Sequence, residues 1–435
     1  MTKLKLYIYI IFVLFITANI MQKLILTRKY SGFALISTKV LIAGNMQNCS
    51  IRTLSYSFFL PDCQQYSKGD FLEVSGSHEG DSDKAFFQQK RLKVQAVKQI
   101  SLNRLSVKHW WHRAQVLIYQ QKTIFLETGL FYLPLTHANL IASMVFGGTA
   151  SLPQELKEDF QITGLTHVVS ASGYNVSVVA GLAIFLFSKL LSKRLSTVVI
   201  IFVIWGYAIA AELVPPVIRS SIMISLNLIA SRVFFRQYNL LFTLVFTALI
   251  MLLWEPSYAQ SLSFWLSTLA TLGIVLVLPL LESGEGWFSR LSTGHLVDQQ
   301  KPSKSNIFKE SFLVTLAAQS LTLPLVAAVF GEVSLLSFVT NTMLLWLTPV
   351  ITLFGLGLMF IGAIFSPWPG VWQLVGPILS LLVWLPTELF ISGVEWFGQL
   401  EWGLVKFSLP FYVVVIWWSM LGIIVLRKYA TFINN

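Results

Sequence analysis

Residues 164–181, GLTHVVSASGYNVSVVAG, concentrate polar side chains within a segment that is otherwise apolar. Ser172 beside Gly173 could act as a nucleophile if a base lay within hydrogen-bond reach. The nearby candidate is His167, and on a helix its five-residue separation from Ser172 corresponds to about 140° of rotation. No later apolar segment contains a histidine. The pattern argues against an intramembrane serine hydrolase, and we predict that the chain is not an enzyme.

The same segment could instead bind or conduct a polar ligand. On a helix, one face collects polar side chains, those of His167, Ser170, Tyr174 and Ser177. Polar groups at membrane depth are costly, and they usually face a bundle interior, a pathway or a site. Ser172 and Gly173 lie off this face and predict a kink or a helix break. Close helix packing through small residues is the alternative interpretation, and the pattern does not choose between the two.

Arg219 is the main cationic candidate within the apolar segments. It follows Pro215 and Pro216, which cannot continue a helix and so predict a turn or a discontinuity. An arginine at this depth is costly unless it pairs or faces water. Glu212 is the nearest possible partner in sequence, and snorkelling of Arg219 to the membrane surface is the alternative.

Two later apolar segments also carry polar residues. WEPSYAQSLSFWLSTLATLGIVL, residues 254–276, includes Glu255, Trp265 and Ser267. NTMLLWLTPV, residues 341–350, begins with Asn341. Small polar segments of this kind either pack closely or line a passage, so both are candidates for the same pathway.

The composition determines which elements must position these residues. The chain has 435 residues, of which 55% are hydrophobic and only 12% charged, and its apolar runs are long enough for about 9–11 spans. We predict a polytopic α-helical membrane protein. Its net charge of +11 has a topological explanation, since Lys and Arg bias the side on which a loop lies. A basic balance also suits an anionic partner.

The chain divides into four predicted parts. At the N-terminus, lysines are followed by an apolar run without a small-residue cleavage site, which predicts a retained membrane anchor. The next segment consists of short runs of alternating polar and apolar residues, which predict a small β-domain. Paired tryptophans beside basic residues then predict helices at the membrane interface. The parts are an N-terminal transmembrane anchor (1–28), a small all-β OB-like domain (29–104), amphipathic interfacial helices (105–160) and a helical membrane domain (161–430).

Basic loops set the predicted orientation. Lys193 with Arg194, Arg232 with Arg236, and the basic loop 283–306 occur at every second connection, which puts these loops in the cytoplasm. The OB-like domain is then extracytoplasmic, and the chain is a multi-pass protein of the cytoplasmic (inner) membrane.

Cysteines and histidines add little chemistry. Cys49 and Cys63 are the two cysteines, and they could form a disulfide in an oxidising compartment or remain free thiols. The six histidines include no His-x-His or His-x-Asp-His run, and His109 with His112 has no accompanying carboxylate or cysteine. We predict no metal site and no cofactor.

Four ordered segments resemble the ComEC family of competence proteins, and the similarity spans most of residues 135–365. GLTHVVSASGYNV is similar to that family's Gly-Leu-x-His-(x)3-Ser-Gly-Leu-His segment, and PPVIRSSIMISL to its proline- and Arg-bearing helix. EPSYAQSLSFWLSTLATLGI and SLLSFVTNTMLLWLTP resemble the two later segments. The positions that match are Gly164, His167, Ser172, Gly173, Arg219, Glu255, Pro256, Phe264, Ser267, Gly273 and Asn341.

The chain departs from the family pattern at several places. Tyr174 and Asn175 replace Leu-His, Trp265 replaces Gln, and Glu255 replaces Asp. Asn175 can still hydrogen-bond, but it cannot carry a charge or bind a metal as His does. Many family members end in a metallo-β-lactamase-like domain, which this chain lacks, so we expect no nuclease chemistry within it.

The resemblance implies a membrane channel that imports single-stranded DNA during natural transformation. Its pathway residues would be His167, Ser170, Ser172, Gly173, Tyr174, Asn175, Arg219, Glu255, Trp265, Ser267 and Asn341. Implied partners are single-stranded DNA, membrane lipid, and a separate DNA receptor, nuclease and cytoplasmic ATPase. The sequence contains no GxxxxGK[ST] loop, so energy must come from an ATPase or a membrane gradient. The alternative is a transporter of a small solute or ion with the same discontinuous-helix core.

Overall fold

The computed structural model describes five strands between residues 36 and 99, parts of 118–128, and residues 130–147, 152–236, 239–281, 307–365 and 368–434. The predicted anchor (1–28), Cys49 and Cys63 lie outside these residues, as do His109 and His112. The chain divides into two compact units. The larger includes Phe125–Ile250 and Ser263–Asn435, and the smaller includes Phe12–Ile124 and Met251–Leu262.

Five strands form one sheet within the predicted β-segment. They are β1 (Ile36–Leu41), β2 (Ser50–Arg52), β3 (Tyr56–Phe59), β4 (Phe71–His78) and β5 (Lys90–Gln99). The order in the sheet is β1-β4-β5-β3-β2; β3 and β5 are parallel, and the other neighbours are antiparallel. β1 and β2, which are consecutive in sequence, therefore lie at opposite edges of the sheet.

The remainder is mostly helical. The helices are α1 (Leu135–Phe146), α2 (Gln154–Thr163), α3 (Gly173–Phe187), α4 (Lys193–Ala210), α5 (Pro215–Leu228), α6 (Leu240–Trp254), α7 (Leu262–Leu276, continued by Leu278–Leu281), α8 (Ile307–Phe330), α9 (Ser337–Leu344), α10 (Leu347–Phe365), α11 (Pro369–Gly398) and α12 (Phe411–Asn434). The strands β6 (Glu332–Ser334) and β7 (Leu404–Lys406) pair as a two-stranded antiparallel ribbon.

Among the described residues, five helices are long and apolar enough to cross a membrane: Lys193–Ala210, Leu262–Leu281, Lys309–Phe330, Leu347–Phe365 and Gly370–Gly398. Four shorter apolar helices accompany them: Leu135–Phe146, Gly173–Phe187, Leu240–Trp254 and Phe411–Arg427. The prediction of a helical membrane protein is confirmed. The larger number of spans stays a prediction, because several apolar helices are too short to cross a bilayer of about 30 Å unaided.

The helices break where the sequence carries its strongest stop signals. α5 begins at Pro215, whose missing N–H is harmless in a first turn, and Glu212 and Leu213 adopt positive φ values of 65° and 51° just before it. The predicted discontinuity at the double proline is therefore confirmed. The predicted break at Ser172–Gly173 is also confirmed, since α3 begins at Gly173.

The prediction that residues 165–172 are helical was wrong, because these residues form turns and bends before α3. The polar stripe thus exists as a helical face only from Tyr174 onward. Gly164 explains the change, because it ends α2 in the left-handed region with a φ of 73°. A β carbon on Gly164 would lie 2.6 Å from Ser337 Cβ, so this close approach also favours glycine.

Candidate functional site

The non-helical stretch before α3 is held by its own side chains. His167 Nδ1 lies 3.1 Å from the Gly164 carbonyl oxygen, and because a carbonyl can only accept, this ring nitrogen must carry the proton. The Ser170 hydroxyl donates to the His167 carbonyl at 3.0 Å. Such local bonds compete with helix formation, so the polar residues that suggested a site also shape the turn.

The start of α3 has two distinct faces. Asn175 is buried, and its amide donates to the carbonyl of Met144 in the last turn of α1. Tyr207 on α4 donates to the neighbouring Val145 carbonyl at 2.5 Å. The two side chains satisfy carbonyls that the end of α1 leaves without helical partners. This geometry gives Asn175 a positioning role in the fold.

The opposite face of α3 is open. Tyr174 and Ser177 are exposed, as are Ser170 in the preceding turn and Gly181 one helical turn further on. A β carbon on Gly181 would meet nothing within 4 Å. Small and polar residues therefore lie on one exposed side of this helix.

Arg219 lies in the interior of the larger unit. It is only 8% exposed, and its guanidinium cannot lose its charge at physiological pH. Nε donates to Ser267 Oγ on α7 at 3.0 Å, and Nη2 lies 3.4 Å from Ser220 Oγ. Nη1 also lies 3.2 Å from the sulfur of Met223, one turn along α5. These contacts fix the guanidinium between α5 and α7, which excludes snorkelling to the surface.

The first residue of α3 lies directly against this guanidinium. A β carbon added at Gly173 would collide with Ser220 Oγ and would lie 3.3 Å from Arg219 Nη2. The structure thus brings together Gly173, Arg219 and Ser267, three residues that are far apart in the sequence. The N-terminus of a helix carries a partial positive charge, so two positive groups meet at this point.

The remaining candidates have separate surroundings. Trp265 packs edge-on against Phe264, with ring centroids 5.4 Å apart. Glu255 belongs to the smaller unit, where its carboxylate accepts from the Ser257 N–H at 3.3 Å and caps a short helical turn. Asn341 on α9 is buried, and its Oδ1 has no hydrogen-bond partner among the described residues. The pairing of Glu212 with Arg219 stays a prediction.

Sequence reasoning missed Ser220 and Met223, which contact the guanidinium. The signal was available, because residues one and four positions after Arg219 lie beside it on a helix. Within the described parts of the chain, no group of three or more His, Cys, Asp or Glu side chains is placed to hold a metal ion.

Comparisons with known proteins identify the family of this chain. A family model described as "Competence protein" matches residues 144–430, more than half of the 435-residue chain. An uncharacterized protein of Aquifex aeolicus (strain VF5) is 32% identical over 250 residues, which is 57% of this chain and 51% of that protein. The match therefore covers about half the length of this relative. No solved structure matches the chain. With five apolar helices long enough to cross a bilayer, this is a membrane protein that belongs to the competence protein family.

Proposed function

We propose that the chain is a multi-pass channel of the cytoplasmic membrane that imports single-stranded DNA during natural transformation. Family membership supports a role in competence and DNA uptake. The observation that carries the channel assignment is the buried guanidinium of Arg219 at the N-terminus of α3. We propose no catalytic residue for this function.

Electrostatics explain why a phosphodiester suits this point. Burial of an arginine away from water is costly, because its charge is retained. The partial positive charge of the α3 N-terminus lies beside Arg219 and adds repulsion. The hydroxyls of Ser220 and Ser267 lie within hydrogen-bonding distance of the guanidinium and hold it in place. A passing phosphate would be attracted to both groups, because anions bind well at helix N-termini and to guanidinium groups.

The open face of α3 supplies the rest of the proposed pathway. Ser170 and Ser177 offer hydroxyls to phosphate or sugar oxygens, and Gly181 leaves room for the strand. Tyr174 is 45% exposed and could stack on a base without regard to its identity. Sequence-tolerant contacts of this kind are what an importer of arbitrary DNA requires.

We propose that the five-stranded sheet belongs to an OB-like domain on the external side of the membrane. Its two edge strands, β1 and β2, are consecutive in sequence, so pairing them would close the five strands into a barrel. OB folds bind single strands in a groove. We propose single-stranded DNA and membrane lipid as partners, with a separate DNA receptor, nuclease and cytoplasmic ATPase.

The test is uptake of labelled DNA by a transformable host in which this chain replaces the resident channel. We expect Arg219→Ala to abolish entry of DNA, because the buried positive charge is gone. Arg219→Lys should restore part of the entry, since it keeps the charge but loses the fixed fork of donors. Surface binding of DNA and the amount of inserted protein are measured in parallel.

Arg232→Ala is the matched control. Arg232 lies beyond the end of α5, and it donates to Ser188 Oγ at 3.0 Å on the exposed side of the unit. Its loss should leave entry unchanged. If the Arg219→Ala variant and the unaltered chain import DNA equally at equal protein levels, Arg219 is not a phosphate-binding residue of the pathway.

A transporter of a small solute or ion is the second candidate. The observation that favours it is that α3 and α5 both begin at breaks within the apolar region. In many transporters, discontinuous helices of this kind form the solute-binding site. Normal insertion and surface binding without any DNA entry by the unaltered chain would support this alternative.

A further inference from the structure

Basic side chains from two different loops meet at one end of α3, α4 and α5. Arg232, in the turn that follows α5, donates from Nη1 to the hydroxyl of Ser188 at the end of α3, with the two atoms 3.0 Å apart. Lys193, the first residue of α4, places its Nζ over the ring of Phe235, 5.8 Å from the ring centroid. Ser188 and Arg232 are 44 residues apart in the sequence, so tertiary contacts hold the two loops side by side.

The basic cluster formed in this way consists of Lys189, Lys193, Arg194, Arg232 and Arg236, and all of them except the half-buried Arg232 are exposed. Across residues 173–254 the only acidic residue is Glu212, which follows α4 at its opposite end. α4 has 18 residues, so Glu212 lies about 27 Å from the cluster. α10, which packs against α3, contains no charged residue. Within the described parts of the chain, none of the five cations forms an ion pair.

The topology of the chain does not explain this arrangement. Lys and Arg bias a loop to the cytoplasm wherever they lie in it, so that rule requires no contact between loops. Here the first turn of α4 carries Lys193 and Arg194 and no acid, and the positive end of the helix dipole adds to their repulsion. A bound anion relieves this repulsion, and the phosphate of a lipid or of a nucleic acid is such an anion.

Exposed apolar side chains beside the cluster favour a lipid. They form an apolar strip that consists of Phe185, Leu186 and Leu190 at the end of α3 and Leu195, Val198 and Phe202 on α4. The three residues of α4 are three and four positions apart, so they lie on one side of the helix and lead away from the cations. Lys189 Nζ lies 5.7 Å from the Phe185 ring centroid, so a cation already contacts the strip. A phospholipid has a charged phosphate and an apolar chain in this order, whereas a nucleic acid has no chain to cover the strip.

We propose that the basic cluster binds an anionic phospholipid of the cytoplasmic leaflet, whose phosphate contacts Lys193, Arg194 and Arg236 and whose acyl chain lies on the apolar strip. Arg232 already bonds Ser188, so it joins the two loops and is not among the phosphate-binding residues. This site deepens the proposal that membrane lipid is a partner, and it does not depend on DNA import.

A lipid bound here would stabilise the packing of α3 on α5. The two helices run side by side in the same direction, because Gly173 lies against Arg219 near their starts and Ser188 bonds Arg232 at their ends. The phosphate would bridge the start of α4 and the turn that follows α5. The native protein with lipid bound is therefore more resistant to unfolding than the native protein alone.

Thermal unfolding of the purified full chain in detergent tests the site. The protein is titrated separately with phosphatidylglycerol, which is anionic, and with phosphatidylcholine of the same acyl chains, whose headgroup is neutral overall. We expect phosphatidylglycerol to raise the melting temperature at concentrations at which phosphatidylcholine has no effect. Equal effects of the two lipids would overturn the proposal.

The double variant Lys193→Gln/Arg194→Gln measures the contribution of the cations. A basic residue near an anionic lipid surface contributes about fivefold in affinity, so the loss of two should raise the half-maximal phosphatidylglycerol concentration about 25-fold. The charge-preserving variant Lys193→Arg/Arg194→Lys should remain close to the unaltered chain. An unchanged half-maximal concentration in Lys193→Gln/Arg194→Gln would refute these residues as the phosphate site.

Lys157→Gln/Lys406→Gln is the matched control, because it removes the same charge at places where acids adjoin. Lys157 lies between Glu155 and Glu158 on α2, and Lys406 is opposite Glu332 in the ribbon of β6 and β7. We expect the response of this variant to phosphatidylglycerol to match that of the unaltered chain. A shift as large as that of Lys193→Gln/Arg194→Gln would mean that overall charge, and not the basic cluster, attracts the lipid.

A single-stranded oligonucleotide of deoxythymidines separates a lipid from a nucleic acid. We expect no stabilisation by the oligonucleotide that depends on Lys193 and Arg194. Stabilisation that Lys193→Gln/Arg194→Gln abolishes, without a selective effect of phosphatidylglycerol, would replace the lipid with a nucleic acid as the ligand.

The lipid site and the importer fail separately. If the unaltered chain admits no DNA but is stabilised selectively by phosphatidylglycerol through Lys193 and Arg194, the importer is refuted and the lipid site stands. If DNA enters normally and the two lipids act equally, the lipid site alone is refuted.

Discussion

The contact between α3 and α5 can be tested by adding one methyl group. In Gly173→Ala the new β carbon would collide with Ser220 Oγ, with Ser220 Cβ at 3.2 Å and Arg219 Nη2 at 3.3 Å. Either Ser220 rotates away or the two helices separate, and both changes displace the guanidinium. We therefore expect Gly173→Ala to lower both the stability of the protein and the entry of DNA.

Gly181 supplies the reference for the magnitude. Alanine at a helical glycine stabilises by about 0.5–1 kcal/mol where there is room, and nothing lies within 4 Å of a β carbon at Gly181. Overpacking at Gly173 costs about 1–3 kcal/mol, which offsets this gain. The free energy of unfolding should therefore differ between the two variants by about 1–3 kcal/mol, with Gly181→Ala the more stable.

Thermal unfolding of the purified protein in detergent measures this difference, and DNA entry is measured in the same variants. Adding Ser220→Ala to Gly173→Ala removes the colliding oxygen and leaves Ser220 Cβ as the nearest atom of that side chain. We expect this double variant to regain part of the lost stability. Equal stability of Gly173→Ala and Gly181→Ala, or no recovery in the double variant, would refute the close packing of α3 on α5.

Two further predictions concern packing and pH. Gly273→Ala should destabilise the protein more than Gly173→Ala in the same thermal assay. Its β carbon would meet the backbone oxygen of Ala317 on α8, and a backbone atom cannot rotate away as a serine side chain can. Equal losses of stability in the two variants would contradict this prediction. Burial, followed by the charges of Glu155 and Glu158, raises the pKa of Asp159 above 3.8. The folded state thus binds more protons than the unfolded state, and stability falls as pH rises through the folded pKa. Asp159→Asn should raise the melting temperature at neutral pH and lose this advantage below about pH 4, whereas an advantage independent of pH would refute the argument.

The candidate site was predictable only in part. Arg219, Gly173 and Ser267 were named because their residue types are costly or permissive at membrane depth. Their meeting was not predictable, since it depends on how α3, α5 and α7 pack. Asn175 shows the same limit: its type fitted a pathway, yet it bonds the Met144 carbonyl because α1 ends beside it.

The contact between His137 on α1 and Glu388 on α11 was not predicted, because 251 residues separate the two. A single histidine and a single glutamate in apolar surroundings carry no spacing signal. The wheel for residues 165–172 failed for a different reason, because apolar composition indicates burial without fixing the backbone conformation. There the left-handed Gly164 and the carbonyl bonds of His167 and Ser170 formed a turn.

The sequence by itself determined the class of protein and the ends of its helices. Apolar runs must avoid water, proline cannot continue a helix, and glycine permits backbone conformations that other residues resist, so these properties act locally. Only the tertiary structure decided which polar groups meet. The burial of Arg219 at the start of α3, and of His137 against Glu388, results from helices that pack across long stretches of chain, and no local pattern encodes such contacts.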